Sequence, residues 1–339
     1  MSQQPSLLNL RPVDTPLTAG LPGGWTALAV VVVLALYPLL MHGIGADFYI
    51  SLGARILILA LAASALNLAL GYGGMISLGH AAFLGTGAYT VSFLMNQGVQ
   101  AAWLAVPAGV AVAALAAFLI GAASLRTSGV YFIMITLAFA QLLYLLAVSL
   151  PVLGGDDGLQ LTARLSLPGL SLGDDVAFYY FVLFIAGLAF ALLYRLVASR
   201  FGRALVAIRE NERRMAAIGY PVYRLKLMAF TLSGGLAGLA GALLANLSMG
   251  VTPHTLTWHQ SGLLMVMVIL GGSGYFWGGI AGASIFLLLE EVISSRTEHW
   301  NLVLGALLLL IVMVAPNGVM SLRGRVATAL RRGDAGGAQ

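Results

Sequence analysis

Few residues in this chain are of types and spacings that do chemistry. Gly169-Leu170-Ser171-Leu172-Gly173 matches G-x-S-x-G, the turn that presents a nucleophilic serine, and Asp174 follows it. That turn needs a strand, a sharp bend and a helix on a large α/β sheet, which a loop of about 25 residues between apolar runs does not hold. His254 and His259 lie five apart with no H-E-x-x-H pattern, and the chain has no cysteine, so no metal site and no thiol chemistry are expected. Its one lysine, Lys226, follows Arg224-Leu225, so the phosphate-cradling loop G-x-x-x-x-G-K-[ST] is missing. No catalytic residue is assigned. If ATP drives anything here, another polypeptide must hydrolyse it.

What remains is a set of polar side chains inside apolar stretches: Asn67, Ser77, His80, Thr86, Thr90, Thr136, Gln141 and Ser233, with the hydroxyls of Tyr89 and Tyr131. In lipid such groups must face protein or a watery path. Residues 71–90, GYGGMISLGHAAFLGTGAYT, gather several of them among six glycines. Glycine is costly within a helix, so Gly71, Gly73 and Gly74 are expected to break one, and Gly79, Gly85 and Gly87 to let the next approach its neighbours. Irregular backbone at membrane depth needs protein or water around it, which puts this stretch inside a bundle, near a path. Ser77, His80, Thr86, Tyr89 and Gln141 are the candidates for lining that path. For a lone His80 beside a glycine, a hydrogen-bonded packing role is the commoner reading.

The elements that must hold these residues are membrane helices. Of 339 residues 60% are apolar and 9% charged, and the mean hydropathy is +0.95, far from a soluble domain. The expected fold is all-α and polytopic, with about ten spans near 25–42, 49–70, 78–96, 101–123, 129–150, 176–197, 226–247, 261–273, 276–293 and 299–316. The first 24 residues carry only Arg11 as a base and do not resemble a cleaved signal peptide. With the N-terminus inside, fourteen of the seventeen basic residues fall on the cytoplasmic side, leaving Arg55, Arg164 and Arg296 outside. Both ends are then cytoplasmic: a tail over 1–24, a membrane domain over 25–316 and a basic tail over 317–339. Asp156, Asp157, Asp174 and Asp175 fall in the outer loop at 151–175. The basic residues answer to topology, so nucleic acid is not an expected partner.

The longest internal loop on the inner side, 198–225, contains a stretch of helical character from Ala204 to Ile218. Leu205, Ile208, Met215 and Ile218 fall near one face, with Arg209, Glu210, Asn211, Arg213 and Arg214 on the rest. Gly219 suits a left-handed cap and Pro221 prevents continuation. Such a helix either lies on the anionic inner leaflet or inserts its apolar face into a groove on a soluble partner.

Small residues mark close helix contacts. Gly234, Gly238 and Ala242 form one stripe, Ala237 and Gly241 another, and Gly278 and Gly282 repeat the spacing. Tight packing is the expected reading, although a moving interface would use the same residues. Interrupted helices often recur in inverted halves of transporters. The two glycine-rich breaks, near 71–79 and 271–279, both fall on the inner side, so no inverted repeat is visible.

With these residues in view, the chain resembles the LivM-type permease subunits of branched-chain amino acid ABC importers. The resemblance spans roughly 48–323 and rests on LNLALGYGGMISLGHAAFLGTGAYT (66–90), GVYFIMITLAFAQLL (129–143), FGRALVAIRENERRMAAIGYPVYRLKLMAFTLSGGLAGLAGAL (201–243) and MVILGGSGYFWGGIAGASIF (267–286), with APNGV (315–319) after the last span. It implies the ABC importer permease fold in a bacterial cytoplasmic membrane. The implied partners are a homologous second permease, two ATPase subunits that bind ATP and Mg, and a periplasmic substrate-binding protein received on outer loops that include Gly155-Asp156-Asp157-Gly158. On this resemblance Ala204 to Gly219 becomes the coupling helix, with Ala204, Leu205, Ile208, Arg209, Glu212, Met215, Ala216, Ala217 and Gly219 at the ATPase contact. Urea and short-amide permeases are close relatives, so the substrate stays open among these. An ion-coupled secondary transporter is a weaker alternative, because the only carboxylates in the spans are the peripheral Glu290 and Glu291.

Overall fold

The computed structural model describes residues 24–43, 45–167, 170–314 and 318–320. The tails expected at 1–24 and 317–339 lie outside the described residues, apart from Gly24 and 318–320, as does the start of APNGV. Each of the ten expected segments coincides with one helix: α1 Gly24–Gly43, α2 Asp47–Asn67, α3 His80–Asn96, α4 Ala102–Ser124, α5 Val130–Ser149, α6 Asp175–Ala198, α9 Val222–Leu247, α10 Trp258–Gly271, α11 Gly278–Ser294 and α12 Trp300–Val314. Two short helices, α7 Arg200–Glu210 and α8 Glu212–Ala217, fill the long inner loop. Among the described residues five helices are long and apolar enough to cross a membrane: Phe48–Tyr72, Ala102–Ser124, Val130–Ser149, Asp175–Ala198 and Val222–Leu247. The chain is an all-α, multi-pass membrane protein.

Helix α9 stands at the centre, and its small residues explain why. A Cβ on Gly234 would strike Ala117, one on Gly238 would strike Ala113, and one on Gly109 would rest 3.7 Å from Ala242. Two stripes of small residues at spacing four therefore face each other, and α4 lies antiparallel against α9. On its other side α9 meets α3, where Gly241 abuts the Leu84 carbonyl and Gly87 abuts the Gly238 carbonyl. The two helices run parallel, with His80 opposite Ser233 at one end and Tyr89 clustered with Ala245 at the other, and they cross backbone against backbone between. Gly282 likewise meets Met267 O, and Gly278 sits against Gly271, which closes α10 on α11. Tight packing of this kind is how helices associate where lipid removes the hydrophobic drive.

The glycine-rich stretch folds as the sequence suggests. Helix α2 ends in a wider π turn, Leu68–Tyr72, after which 73–79 runs irregularly back into the bundle. Met75, Ser77 and Gly79 are buried along it. A Cβ on Gly79 would come 2.8 Å from Thr136 O on α5, so protein covers this backbone. Helix α3 then starts deep: the Ala81 N–H donates to Ser261 Oγ of α10 at 2.9 Å.

The second dip is at 248–257, between α9 and α10, and comes from the opposite end. Its strand β4, Gly250–Val251, pairs antiparallel with β1, Leu159–Gln160, and its turn Pro253–Leu256 brings the buried Leu256 against Gly85 of α3. This pair of breaks reverses the expectation of no inverted repeat. Helices α2–α5 and α9–α12 share one order, a long helix, a dip, a shorter helix and two more, and α2 runs antiparallel to α9. In each group the broken helix lies parallel to the other group's long helix, and the helix after it lies antiparallel. The break near 271–279 is instead the hairpin between α10 and α11, so the sequence comparison had paired the wrong segments.

In the loop between α5 and α6, Gly154, Gly155 and Gly158 adopt φ of +83°, +58° and +75°, which folds the loop tightly and leaves Asp156 and Asp157 exposed. Strand β2, Ser166–Leu167, pairs with β3, Leu170–Ser171. The G-x-S-x-G match thus falls on a two-residue hairpin strand, with no large sheet behind it.

Candidate coupling and translocation site

The inner loop differs from a single helix. Asn211 takes an extended conformation (φ −156°, ψ 95°) that separates α7 from α8. Its side-chain oxygen accepts from the Arg214 N–H at 2.9 Å and caps α8, an asparagine's usual role at a helix start. Ser199 caps α7 by accepting from Phe201 N–H at 3.1 Å. At the far end Gly219 has φ +88°. Its N–H donates to Ala216 O and the Tyr220 N–H to Met215 O, the paired bonds of a Schellman cap.

The apolar face of these helices turns inward. Leu205 is 0% exposed, Ile208 1% and Met215 7%, and Ala204 is buried with them. They pack on this chain's own spans, including α9 through Val222 and Leu225. The surface left open runs through Glu210 to Arg214 and Ala216 to Tyr220, with Ile218 64% and Tyr220 46% exposed as apolar points. Lys226 of α9 forms an ion pair with Glu212 and ties α8 to that span.

Arg209 is the link to the membrane. Its guanidinium donates to the carbonyl of Gly71 in the π turn and to Glu210 Oε1 at 2.8 Å. A Cβ on Gly74, which has φ +66°, would come 2.7 Å from Arg209 Cγ, and one on Gly274 would come 3.1 Å from Nη1. Glycines of both inner breaks thus cradle one arginine. Asn67 joins the same breaks to each other: its amide donates to Tyr275 O at 2.8 Å and its oxygen accepts from Gly274 N–H at 3.0 Å. Gly71 is pressed against that Asn67 side chain and the Gly274 nitrogen.

The five path candidates do not form one cluster. Ser77 is fully buried and accepts from Gly79 N–H at 3.1 Å. Thr86 bonds its own helix at Ala82 O, 2.6 Å away. Tyr89 is 6% exposed among Ala147, Ala245, Val251 and Leu256 at the outer end. Gln141 is half-buried on α5 and makes no hydrogen bond among the described residues. His80 is fully buried, edge-on to Phe83 and Phe230. Its Nε2 lies 2.8 Å from Ser233 Oγ, and the serine's one proton goes to Ala65 O. His80 therefore donates from Nε2, and the bond joins α3, α9 and α2 at one level. Sequence reasoning placed Asn67 and Arg209 separately but missed that they hold these stretches together. The one available signal was an asparagine four residues before the first glycine of the run.

Comparison with known proteins agrees with this architecture. Residues 48–313 match the family described as branched-chain amino acid transport system / permease component. The high-affinity branched-chain amino acid transport system permease protein LivM of Salmonella typhimurium is 30% identical over 298 residues, covering 81% of this chain and 70% of that protein. The protein of the same name from Escherichia coli K12 matches equally. LivH of E. coli K12 is 29% identical over 42% of this chain and 46% of its own length. No solved structure matches the chain. With most of its length matched and its membrane helices in place, the chain belongs to the permease components of branched-chain amino acid transport systems.

Proposed function

We propose that this chain is a membrane-spanning permease subunit of an ATP-driven importer that moves branched-chain amino acids across a bacterial cytoplasmic membrane. Ten helices cross with both termini inside, following the excess of arginine on that side. A homologous second permease completes the path, two ATPase subunits hold ATP and Mg, and a periplasmic binding protein delivers substrate to the outer loops. This chain supplies no ATPase site of its own. The LivM proteins match it over 81% of its length, whereas an autoinducer 2 import permease, LsrC of Salmonella paratyphi B, matches over 43%. Amino acids are therefore preferred to other cargo.

One observation carries the mechanism: Arg209 of the amphipathic α7 is bonded to Gly71, where α2 breaks. An ATPase docks on the open surface from Glu210 to Tyr220, with Ile218 and Tyr220 as its apolar contacts. Motion of α7 then reaches the π turn through Arg209 and the α10–α11 hairpin through Asn67. Broken helices at membrane depth are the segments of least internal hydrogen bonding, so they yield first. The deep starts of α3 and α10, joined at Ala81 and Ser261, move with them and open the path to one side at a time. Vesicles holding the complete complex should take up leucine only with ATP inside, and should continue when the proton gradient is collapsed. Uptake by this chain alone on an ion gradient would falsify the proposal.

A further inference from the structure

A cleft of about 380 Å³ lies toward the outer end between α2, α9, α10 and α11, lined by leucines of α2 and α9 together with Ser51, Arg55, Gln260 and Glu291. Arg55 is well inside α2, which starts at Asp47, about 12 Å along the helix at 1.5 Å per residue. Charges at such depth are expensive and mark functional positions. The Arg55 guanidinium makes one hydrogen bond among the described residues, to Glu290 Oε1 at 3.3 Å, so most of its five donors stay available. The Glu291 carboxylate makes no hydrogen bond or ion pair among the described residues. A cation with donors left over beside its Glu290 partner, a carboxylate without one among the described residues and aliphatic side chains therefore meet in one cavity.

We infer that this cleft is an outward-facing binding site for a small zwitterion with an aliphatic side chain, its carboxylate on Arg55, its ammonium on Glu291 and its side chain against the leucines. The inference rests on the importer reading and gives it a site. Burying both charges of a zwitterion without partners is prohibitive in a low-dielectric path, so a permease needs such partners at the entrance. A zwitterionic lipid headgroup offers the same two charges, and the test separates the two.

The chain has no cysteine, so Ser51→Cys gives this chain a single reporter, read in the complete complex against the Ser51 complex as the background for partner thiols. Its modification by a small anionic thiol reagent is followed in nanodiscs of phosphatidylglycerol. Leucine should slow the reaction, while leucinamide and 4-methylpentanoate, each lacking one charge, should not. Glu291→Gln and Arg55→Gln should each raise the leucine concentration for half-protection by about tenfold, the loss of one charge-assisted bond. Equal protection by all three compounds, or by none, overturns the inference. Protection that needs only phosphatidylethanolamine in the disc, without leucine, makes this a lipid site and overturns it too. ATP-driven leucine uptake that persists at the wild-type level in both charge variants rejects the cleft and leaves the importer standing. Loss of ATP-driven uptake by the wild-type complex rejects the importer itself.

Discussion

Arg209 and Gly71, 138 residues apart, are joined by a hydrogen bond from a guanidinium on the inner loop to the carbonyl of a broken membrane helix. Around that bond Gly74 and Gly274 leave space for the arginine stem and head. The contact connects the exposed α7–α8 segment with the backbone where α2 breaks.

Replacing Gly74 should disturb this link twice over. A side chain there collides with Arg209 Cγ and also meets φ +66°, a conformation that costs a non-glycine residue about 1 kcal/mol or more. Gly74→Ala should lower uptake per ATP hydrolysed while the complex still assembles. Uptake and hydrolysis assayed together check this, and unchanged coupling would count against the cradle.

Asn67 is 2% exposed and bonds both inner breaks. Asn67→Leu keeps the volume but strands a Gly274 N–H and a Tyr275 carbonyl, at about 1–3 kcal/mol for each buried group left unpaired. The melting temperature of the purified complex should drop by several degrees.

The contact between α3 and α9 allows a sharper comparison. Gly87→Ala drives a methyl group into the Gly238 carbonyl, whereas Gly187 on α6 has nothing within 4 Å of an added Cβ. Gly87→Ala should destabilise by about 1–3 kcal/mol, as overpacking does, and Gly187→Ala should stay within about 0.5 kcal/mol of wild type. Thermal unfolding in detergent measures both. Equal effects would mean that the backbone contact is not tight.

Ser233→Ala removes the acceptor for His80 Nε2 and the donor to Ala65 O in one step. A loss of about 1–3 kcal/mol is expected from the stranded imidazole N–H. His80→Phe keeps the ring among Phe83 and Phe230 and should retain transport if His80 only packs. If that variant folds and fails to transport, His80 lies on the path.

Much of this was legible in the sequence, for physical reasons. Apolar length marks helices, and small residues at spacing four, as in Gly234, Gly238 and Ala242, mark where one packs on another. The break at 71–79 was legible because glycine advertises it. The dip at 248–257 was not, since Thr252, Pro253 and His254 read as an ordinary polar loop and only the fold brings Leu256 to Gly85. The pattern of Leu205, Ile208 and Met215 revealed an apolar face, yet periodicity does not say which body covers it, and the structure shows this chain covering it. Long-range bonds such as Asn67 to Gly274 leave no trace in spacing.

The most direct test of the coupling link measures ATP hydrolysis and leucine uptake in the same proteoliposomes, for the wild-type complex and for Arg209→Ala. Loss of a charged hydrogen bond should cut uptake per ATP by about tenfold or more, with hydrolysis still stimulated by the binding protein. Unchanged uptake per ATP in Arg209→Ala would contradict the account.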